Sequence, residues 1–122
     1  MLFRPMRLQG VWLIDLEPAT DARGYFVRTF CEREFKAHGL ETHFPQHSAS
    51  FTARCGSVRG MHYQRAPHEE VKLLRCLKGA IHDVLIDIRP QSPTYLQWEA
   101  YEISAANRRQ RQRGLDRHAQ PT

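Results

Sequence analysis

The chain has 122 residues, of which 41% are hydrophobic and 25% are charged, a size and composition that fit one globular domain and are small for two. Its apolar segment VWLIDL, residues 11–16, is far too short to span a bilayer, and the N-terminus has no signal-peptide pattern. Three cysteines without a CxxC pair favour a reduced compartment. We therefore expect a cytoplasmic protein with no membrane partner.

The net charge of +5 is concentrated near the C-terminus. Residues 107–122 contain five arginines and one acid, which gives that segment a charge of +4 and leaves +1 for residues 1–106. The body of the protein is thus almost neutral, which argues against nucleic-acid binding by the domain itself.

Six segments are rich in β-branched and aromatic residues and are bounded by Gly, Pro or Ser, which predicts strands. They are residues 11–16, 25–30, 58–63, 71–77, 80–88 and 96–103. One short helix is predicted at residues 32–38, ending at Gly39, and Lys78-Gly79 is typical of a tight turn between two antiparallel strands. This pattern predicts an all-β, antiparallel jelly-roll barrel with one short helix.

The character of the chain changes after Asn107. Residues 111–122 contain almost no apolar side chain, so this stretch cannot bury enough surface to offset the entropy of ordering it. We therefore predict a partial jelly-roll domain over residues 1–106 and a basic, disordered tail over residues 107–122.

The block GSVRGMHYQ, residues 56–64, combines a candidate base with a candidate anion-binding group. An imidazole such as that of His62 is neutral near pH 7 and suits proton abstraction, while the guanidinium of Arg59 suits a phosphate or carboxylate. Strict alternation would place these two side chains on opposite faces of a strand. They can share a pocket only if Gly60 marks a bulge or twist.

This block, together with DARGYF at residues 21–26 and EVKLLRCLKGAIHDVLIDIRPQSPTY at residues 70–95, closely resembles the dTDP-4-dehydrorhamnose 3,5-epimerase family. The resemblance implies a cupin-like barrel whose reaction inverts C3 and C5 of a 4-keto sugar attached to dTDP. Each inversion removes a proton beside the ketone and returns one on the opposite face, which requires no cofactor because the ketone already acidifies both carbons. It also implies a homodimer, since family members exchange N-terminal strands.

The resemblance assigns two catalytic roles. His62 falls on the family's catalytic base, and Lys72 matches a lysine whose ammonium group holds the developing enolate oxygen. Alternation along the strand places Lys72 on one face with Leu74 and Cys76, which we expect to point toward the barrel interior.

A second group of residues matches the substrate-binding side of the family. It consists of Arg23, Phe26, Arg28, Gln46, Ser48, Arg59 and Asp83. Arg23 fits an arginine on the nucleotide side, and Asp83 could orient His62 or bind a sugar hydroxyl. Arg28 departs from the family, many of whose members carry Glu there, and a guanidinium offers a different hydrogen-bond pattern from a carboxylate.

The resemblance stops after about Gln110, and a frameshift or truncation is our hypothesis for the ending. The family's proton-donating tyrosine, second catalytic histidine and supporting carboxylate all lie beyond that point. Neither Tyr101, which lies upstream of the family's tyrosine, nor His118, which lies in the non-matching tail, takes those roles.

Three alternatives stay open at this stage. The first is a metal-binding jelly roll, for which residues such as His43, His47, His62, His68 and Glu70 supply ligand types but no HxH pair. The second is a nucleic-acid binder that uses the arginine-rich tail. The third is an inactive remnant whose missing strands leave open sheet edges.

Overall fold

The computed structural model describes residues 1–113 and 118–119. Within these residues the chain forms one short helix and nine strands. In chain order they are β1 (Leu2–Pro5), β2 (Val11–Asp15), β3 (Ala19–Asp21), β4 (Gly24–Phe26), α1 (Glu32–Ala37), β5 (Lys72–Arg75), β6 (Ala80–Asp87), β7 (Trp98–Ser104), β8 (Arg109–Arg113) and β9 (His118–Ala119). The predicted all-β class and the single short helix are confirmed.

Two antiparallel sheets carry the core. One has the strand order β1-β2-β8-β5 and the other the order β7-β6-β9, while β3 and β4 form a separate hairpin. The inner faces of the two sheets meet in one apolar cluster, which places hydrophobic residues where alternation along each strand predicts them. Its buried members are Leu8, Val11, Leu13, Leu85, Tyr101 and Ile103, with Met6, Leu74 and Cys76 packed against them.

The outer face of the four-stranded sheet is covered by α1 and its flanking loops. The fully buried ring of Phe35 meets Phe3 of β1 edge-on, with ring centroids 5.4 Å apart, and Phe30 at 4.8 Å. His38, which follows the helix, stacks on Phe3 at 4.1 Å. These aromatic contacts explain why a helix of only six residues is stable here, since its propensity alone would not form it.

The prediction of disorder from residue 107 is wrong for Arg109–Arg113. This stretch forms β8, which pairs with β2 on one side and with β5 on the other. The alternating sequence RQRQR has no apolar residue to bury, but it finds polar partners instead. The amide of Gln110 donates to the carbonyl of Thr29 at 2.9 Å and that of Gln112 to the carbonyl of Glu41. Residues 114–117 and 120–122 of the predicted tail lie outside the described residues, while residues 118 and 119 form β9.

Two predicted strands differ from the structure. Residues 58–63 form no strand; His62 alone makes an isolated bridge, and positive φ values at Gly56 and Gly60 interrupt the extended backbone. The strand predicted at residues 25–30 ends at Phe26, because the following residues lead to α1, where Phe30 packs on Phe35 and Phe44. The other four predicted strands are confirmed, with ends that differ by at most two residues.

The predicted turn at Lys78-Gly79 does not join two paired strands. Gly79 has a φ of 77°, as a tight turn requires, but β5 and β6 lie in different sheets. The chain therefore changes from one sheet to the other at this turn, which brings the inner face of β6 opposite that of β5 and β8.

Asp87, at the end of β6, organises the connection to β7. Its carboxylate is fully buried and accepts hydrogen bonds from the guanidinium of Arg89 at 2.8 and 2.9 Å and from the hydroxyls of Ser92 and Thr94. Burial alone would raise the pKa of this carboxyl. The hydrogen bonds from Arg89, Ser92 and Thr94 outweigh the effect of burial and hold the pKa well below its usual range. The ionised form is therefore the one that the fold requires.

Asp87→Asn is expected to lower the free energy of unfolding at pH 7 by about 2–3 kcal/mol, because the charge-assisted bonds from Arg89 are lost. A carboxylate whose pKa is depressed by folding stabilises the protein above its unfolded pKa of about 3.9, and that contribution is lost as the pH falls further. Urea unfolding from pH 7 to pH 2 should therefore show that the difference in unfolding free energy between the wild type and Asp87→Asn shrinks below about pH 4. Glu102→Gln, at an exposed carboxylate of β7, is the control; equal pH dependence in all three proteins would contradict the prediction.

Candidate active site

A buried ion pair joins the two sheets at the centre of the molecule. Nε of Arg111 in β8 lies 2.6 Å from Oδ2 of Asp83 in β6, and the two side chains are 0% and 1% exposed. The register places Arg111 beside Leu13 and Leu74, so the guanidinium lies among apolar neighbours. At such a site the attraction between the charges is strong, and removing either one is costly. Asp83 is thus an interior group of the fold.

A second polar group lies next to this pair. Tyr101 pairs with Asp83 in the β6–β7 register. Its hydroxyl donates to Oε2 of Glu99, and the same oxygen accepts from the backbone N–H of Leu8. Burial raises the pKa of Tyr101 well above its usual range, and the bond to Glu99 raises it further. Tyr101 is therefore held in its protonated form, with its proton in the hydrogen bond to Glu99. This arrangement suits a structural hydroxyl rather than a general acid.

Lys72 lies at the start of β5, at the border of the interior. Leu74 and Cys76, which share its face of the strand, pack against the core, so the predicted alternation is confirmed for those two side chains. The Lys72 side chain is about one-third exposed, and its ammonium group forms an ion pair with Glu70 at 2.9 Å. The side chain is thus within reach of solvent, as a group that binds a ligand oxygen must be.

His62 and Arg59 lie on an exposed segment between α1 and β5. All side chains from residue 45 to residue 68 are exposed, including Phe51 at 83% and Val58 at 90%. Arg59 donates to the carbonyl of Phe51 at 3.3 Å. Gly60 has a φ of 95°, so the backbone does turn between the two residues, but a pocket shared by Arg59 and His62 stays a prediction.

The remaining predicted substrate residues are also at the surface. Arg23 bridges to Asp21 at 2.6 Å across the tip of the β3–β4 hairpin, where its side chain is 90% exposed. Phe26, Arg28, Gln46 and Ser48 are exposed as well. The contacts described above do not join the predicted residues to one another. They link Arg23, Arg59, Lys72 and Asp83 to residues outside the predicted set.

The sequence reasoning missed the partner of Asp83. Arg111 was assigned to a disordered tail on the basis of composition, although the strict alternation RQRQR has the period of a strand. It also missed Glu99, whose carboxylate accepts from Tyr101, from the backbone of Leu8 and from Arg7 at 3.2 Å. No pattern in the sequence distinguishes this acid from an exposed one.

The described residues contain no group of three or more His, Cys, Asp or Glu side chains arranged to hold a metal ion. In the same part of the chain, no helix has the length and apolar character that crossing a membrane would demand.

Comparison with known proteins places the chain in one group. The family model described as dTDP-4-dehydrorhamnose 3,5-epimerase matches residues 5–111. An enzyme of that name from Methanothermobacter thermautotrophicus is 43% identical over 103 residues, which are 84% of this chain and 55% of the relative. Curated relatives are thus matched over only about half of their own length.

Solved structures of the same group share the fold. The dTDP-4-dehydrorhamnose 3,5-epimerase from Bacillus anthracis, with TDP and PPi bound, has a TM-score of 0.93 and 31% identity, covering 98% of this chain and 68% of that chain. The enzyme from Legionella pneumophila, in complex with dTDP-4-keto-L-rhamnose, has a TM-score of 0.85 and 29% identity, covering 98% and 63%.

These likenesses confirm the predicted jelly-roll class, here with two sheets that, in the described part of the chain, do not close into a full barrel. The match extends across the strands that carry Lys72 and Asp83 and across the segment that carries Arg59 and His62. The chain therefore belongs to the dTDP-4-dehydrorhamnose 3,5-epimerase family.

Proposed function

We propose that this chain binds a dTDP-linked 4-keto-6-deoxy sugar in the cytoplasm and exchanges the protons beside its ketone, with His62 as the base. The observation that carries the proposal is the family match over residues 5–111, a range that contains all nine predicted site residues. The dTDP and dTDP-sugar ligands of the solved relatives support the substrate class. The chemistry belongs to dTDP-L-rhamnose biosynthesis, as the names of the relatives indicate.

The proposed roles follow from side-chain chemistry. Neutral His62 removes the proton at C3 or C5, and the ammonium group of Lys72 stabilises the enolate oxygen that forms at C4. Arg59 and Arg23 bind the diphosphate, for which the guanidinium fork is suited. No metal or cofactor is needed for these steps, because the ketone already acidifies both carbon positions.

The remaining members of the predicted set complete the substrate side. Phe26 supplies an aromatic wall, and Arg28, Gln46 and Ser48 offer hydrogen-bond donors and acceptors to the ligand. Asp83 is committed to Arg111 at 2.6 Å, so we assign it an interior role beneath the site rather than direct contact with a sugar hydroxyl.

The test is exchange of solvent deuterium into dTDP-4-keto-6-deoxyglucose. Incubation with the purified chain in D₂O is expected to introduce deuterium at C3, at C5 or at both, detected by mass spectrometry and proton NMR. A rate equal to that of buffer alone would contradict the proposed function. Because exchange needs only the base and the enolate stabiliser, it can be observed even if net inversion is slow.

We further propose that the chain forms a homodimer through its exposed apolar arm, defined as the β3–β4 hairpin together with residues 45–68. Exposed apolar residues of this kind mark an association surface. They are Tyr25, Phe26, Phe51, Val58, Met61 and Tyr63. Light scattering coupled to gel filtration is expected to give twice the monomer mass of 14.3 kDa, and Phe26→Ser combined with Val58→Ser should restore the monomer. A monomeric wild-type protein at high micromolar concentration would contradict this assembly.

A further inference from the structure

One open groove lies apart from all nine predicted site residues. It runs between β1, an edge strand of the four-stranded sheet, and β7, an edge strand of the three-stranded sheet, and has a volume of about 850 Å³. Its lining comprises Arg4, Met6, Arg7, Leu13, Leu96, Gln97, Trp98, Glu99, Ala100, Tyr101 and Arg109. Cavities of this size accommodate small organic ligands.

One side of the groove carries three arginines held in place by two carboxylates. Asp15 binds Arg4 through Oδ2 and Nε of Arg109 through Oδ1, the latter at 2.9 Å. Arg7 is held by Glu99 at 3.2 Å and by the carbonyl of Trp98 at 2.8 Å. The arginines are thereby oriented before any ligand arrives, which lowers the entropic cost of binding.

These guanidinium groups retain unused hydrogen-bond donors. Each arginine carries several N–H groups, and acceptors among the described residues engage only one or two nitrogens of each side chain. The three arginines carry three positive charges, and the two carboxylates that bind them carry two negative charges. The group therefore has one excess positive charge. Arg109 is less than one-third exposed, so its attraction for an anion is screened less than that of a fully solvated arginine.

The other side of the groove presents an apolar surface to solvent. Leu96 and Trp98 are 58% and 60% exposed, and Trp98 offers a flat face on which a ring can stack. Leu96 has a φ of 60°, a left-handed conformation that is unfavourable for a branched side chain. The bond from its N–H to the carbonyl of Asp87 at 2.7 Å holds it there. Such outliers are concentrated at ligand-binding sites.

We propose that this groove binds a small aryl phosphate, a phosphate monoester on a planar ring. The phosphate is bound by Arg4, Arg7 and Arg109, and the ring packs on Trp98 and Leu96. Asp15 and Glu99 act as positioning residues that hold the arginines. The site is separate from the proposed substrate site, whose arginines are Arg23, Arg28 and Arg59, none of which lines the groove.

The experiment is an NMR titration that uses the two tryptophans as reporters. The chain has only Trp12 and Trp98, so its spectrum contains two indole N–H signals, which Trp98→Phe assigns. Phenyl phosphate is expected to shift the Trp98 signal saturably and to leave the Trp12 signal in place. Inorganic phosphate should bind about tenfold more weakly, because it lacks the ring, and phenol should not saturate.

Matched charge variants complete the test. Arg7→Gln and Arg4→Gln should each weaken phenyl phosphate binding by about three- to tenfold. Arg33→Gln, an exposed arginine of α1, and Arg23→Gln, a proposed substrate residue, should change it less than about twofold, because only long-range charge is lost. If Arg7→Gln impairs folding by leaving Glu99 without that cation, Arg4→Gln still decides the outcome. Equal weakening by Arg33→Gln, or equal shifts of both indole signals, would overturn the proposal.

Discussion

Asp83→Ala is expected to lower the free energy of unfolding by about 3–5 kcal/mol, because it leaves the guanidinium of Arg111 inside the protein without the carboxylate that neutralises it. Both side chains are almost completely buried, and the pair joins the two sheets. Domains of this size have a total stability of about 5–15 kcal/mol. The variant should therefore unfold at a much lower urea concentration or lose its cooperative transition.

Two further variants identify the cause. Asp83→Leu combined with Arg111→Met replaces the pair by apolar side chains and should restore most of the lost stability, since buried ion pairs often exchange for packed hydrophobic residues at little cost. Asp21→Ala removes the carboxylate of the exposed pair with Arg23 and should leave the urea midpoint unchanged. A double variant that is less stable than Asp83→Ala would contradict this account of the interior.

His62→Ala is expected to reduce the rate of deuterium exchange at C3 and C5 of the sugar by about 10²–10⁴-fold, the usual contribution of a positioned general base. Lys72→Met should reduce it by about 10²–10³-fold, because the enolate loses its cationic partner. Neither change should alter the urea midpoint strongly, since His62 is exposed and Lys72 lies at the border of the interior.

His68→Ala provides the matched control for the base. It removes an exposed histidine from the same segment, so general effects of losing an imidazole would appear in both variants. Exchange that is equally fast in wild type and in His62→Ala would rule out His62 as the base. Equal losses in both histidine variants would indicate an effect on the segment rather than on the chemistry.

The sequence predicted the sheet architecture well because the strands that form it carry their own signal. β6 and β7 are rich in β-branched and aromatic residues and have clear turn residues at their ends, and both are found close to the predicted bounds. The helix before Gly39 was predicted from similar local rules. These elements depend on short-range preferences that are visible in one chain.

Errors arose where a distant partner decides the outcome. The composition of β8 predicted disorder, but Asp83 of β6 and Asp15 of β2 supply carboxylates for its arginines, and composition cannot reveal such partners. Residues 58–63 show the opposite error, because their side chains predicted a strand that the structure does not form. Among the described residues they make only one isolated bridge, at His62. A strand requires a neighbour to accept and donate its backbone hydrogen bonds.

The sequence proposed the candidate site as a set of residues, and that set stays a prediction. The motifs around Arg59 and His62 predicted a chemistry through family resemblance, and alternation was confirmed for Leu74 and Cys76, which share the predicted face with Lys72. The buried state of Asp83 was not predictable, because it depends on Arg111, which lies 28 positions further along the chain.

The most direct test of the central claim is thermal unfolding of the purified chain with and without millimolar dTDP. Binding to the native state must raise its stability, so the account predicts a cooperative transition whose midpoint rises with dTDP. This rise should disappear in Arg23→Gln with Arg59→Gln but persist in Arg7→Gln. A cooperative transition that dTDP does not move, or the absence of a cooperative transition, would contradict the claim that this chain is a folded, nucleotide-binding member of its family.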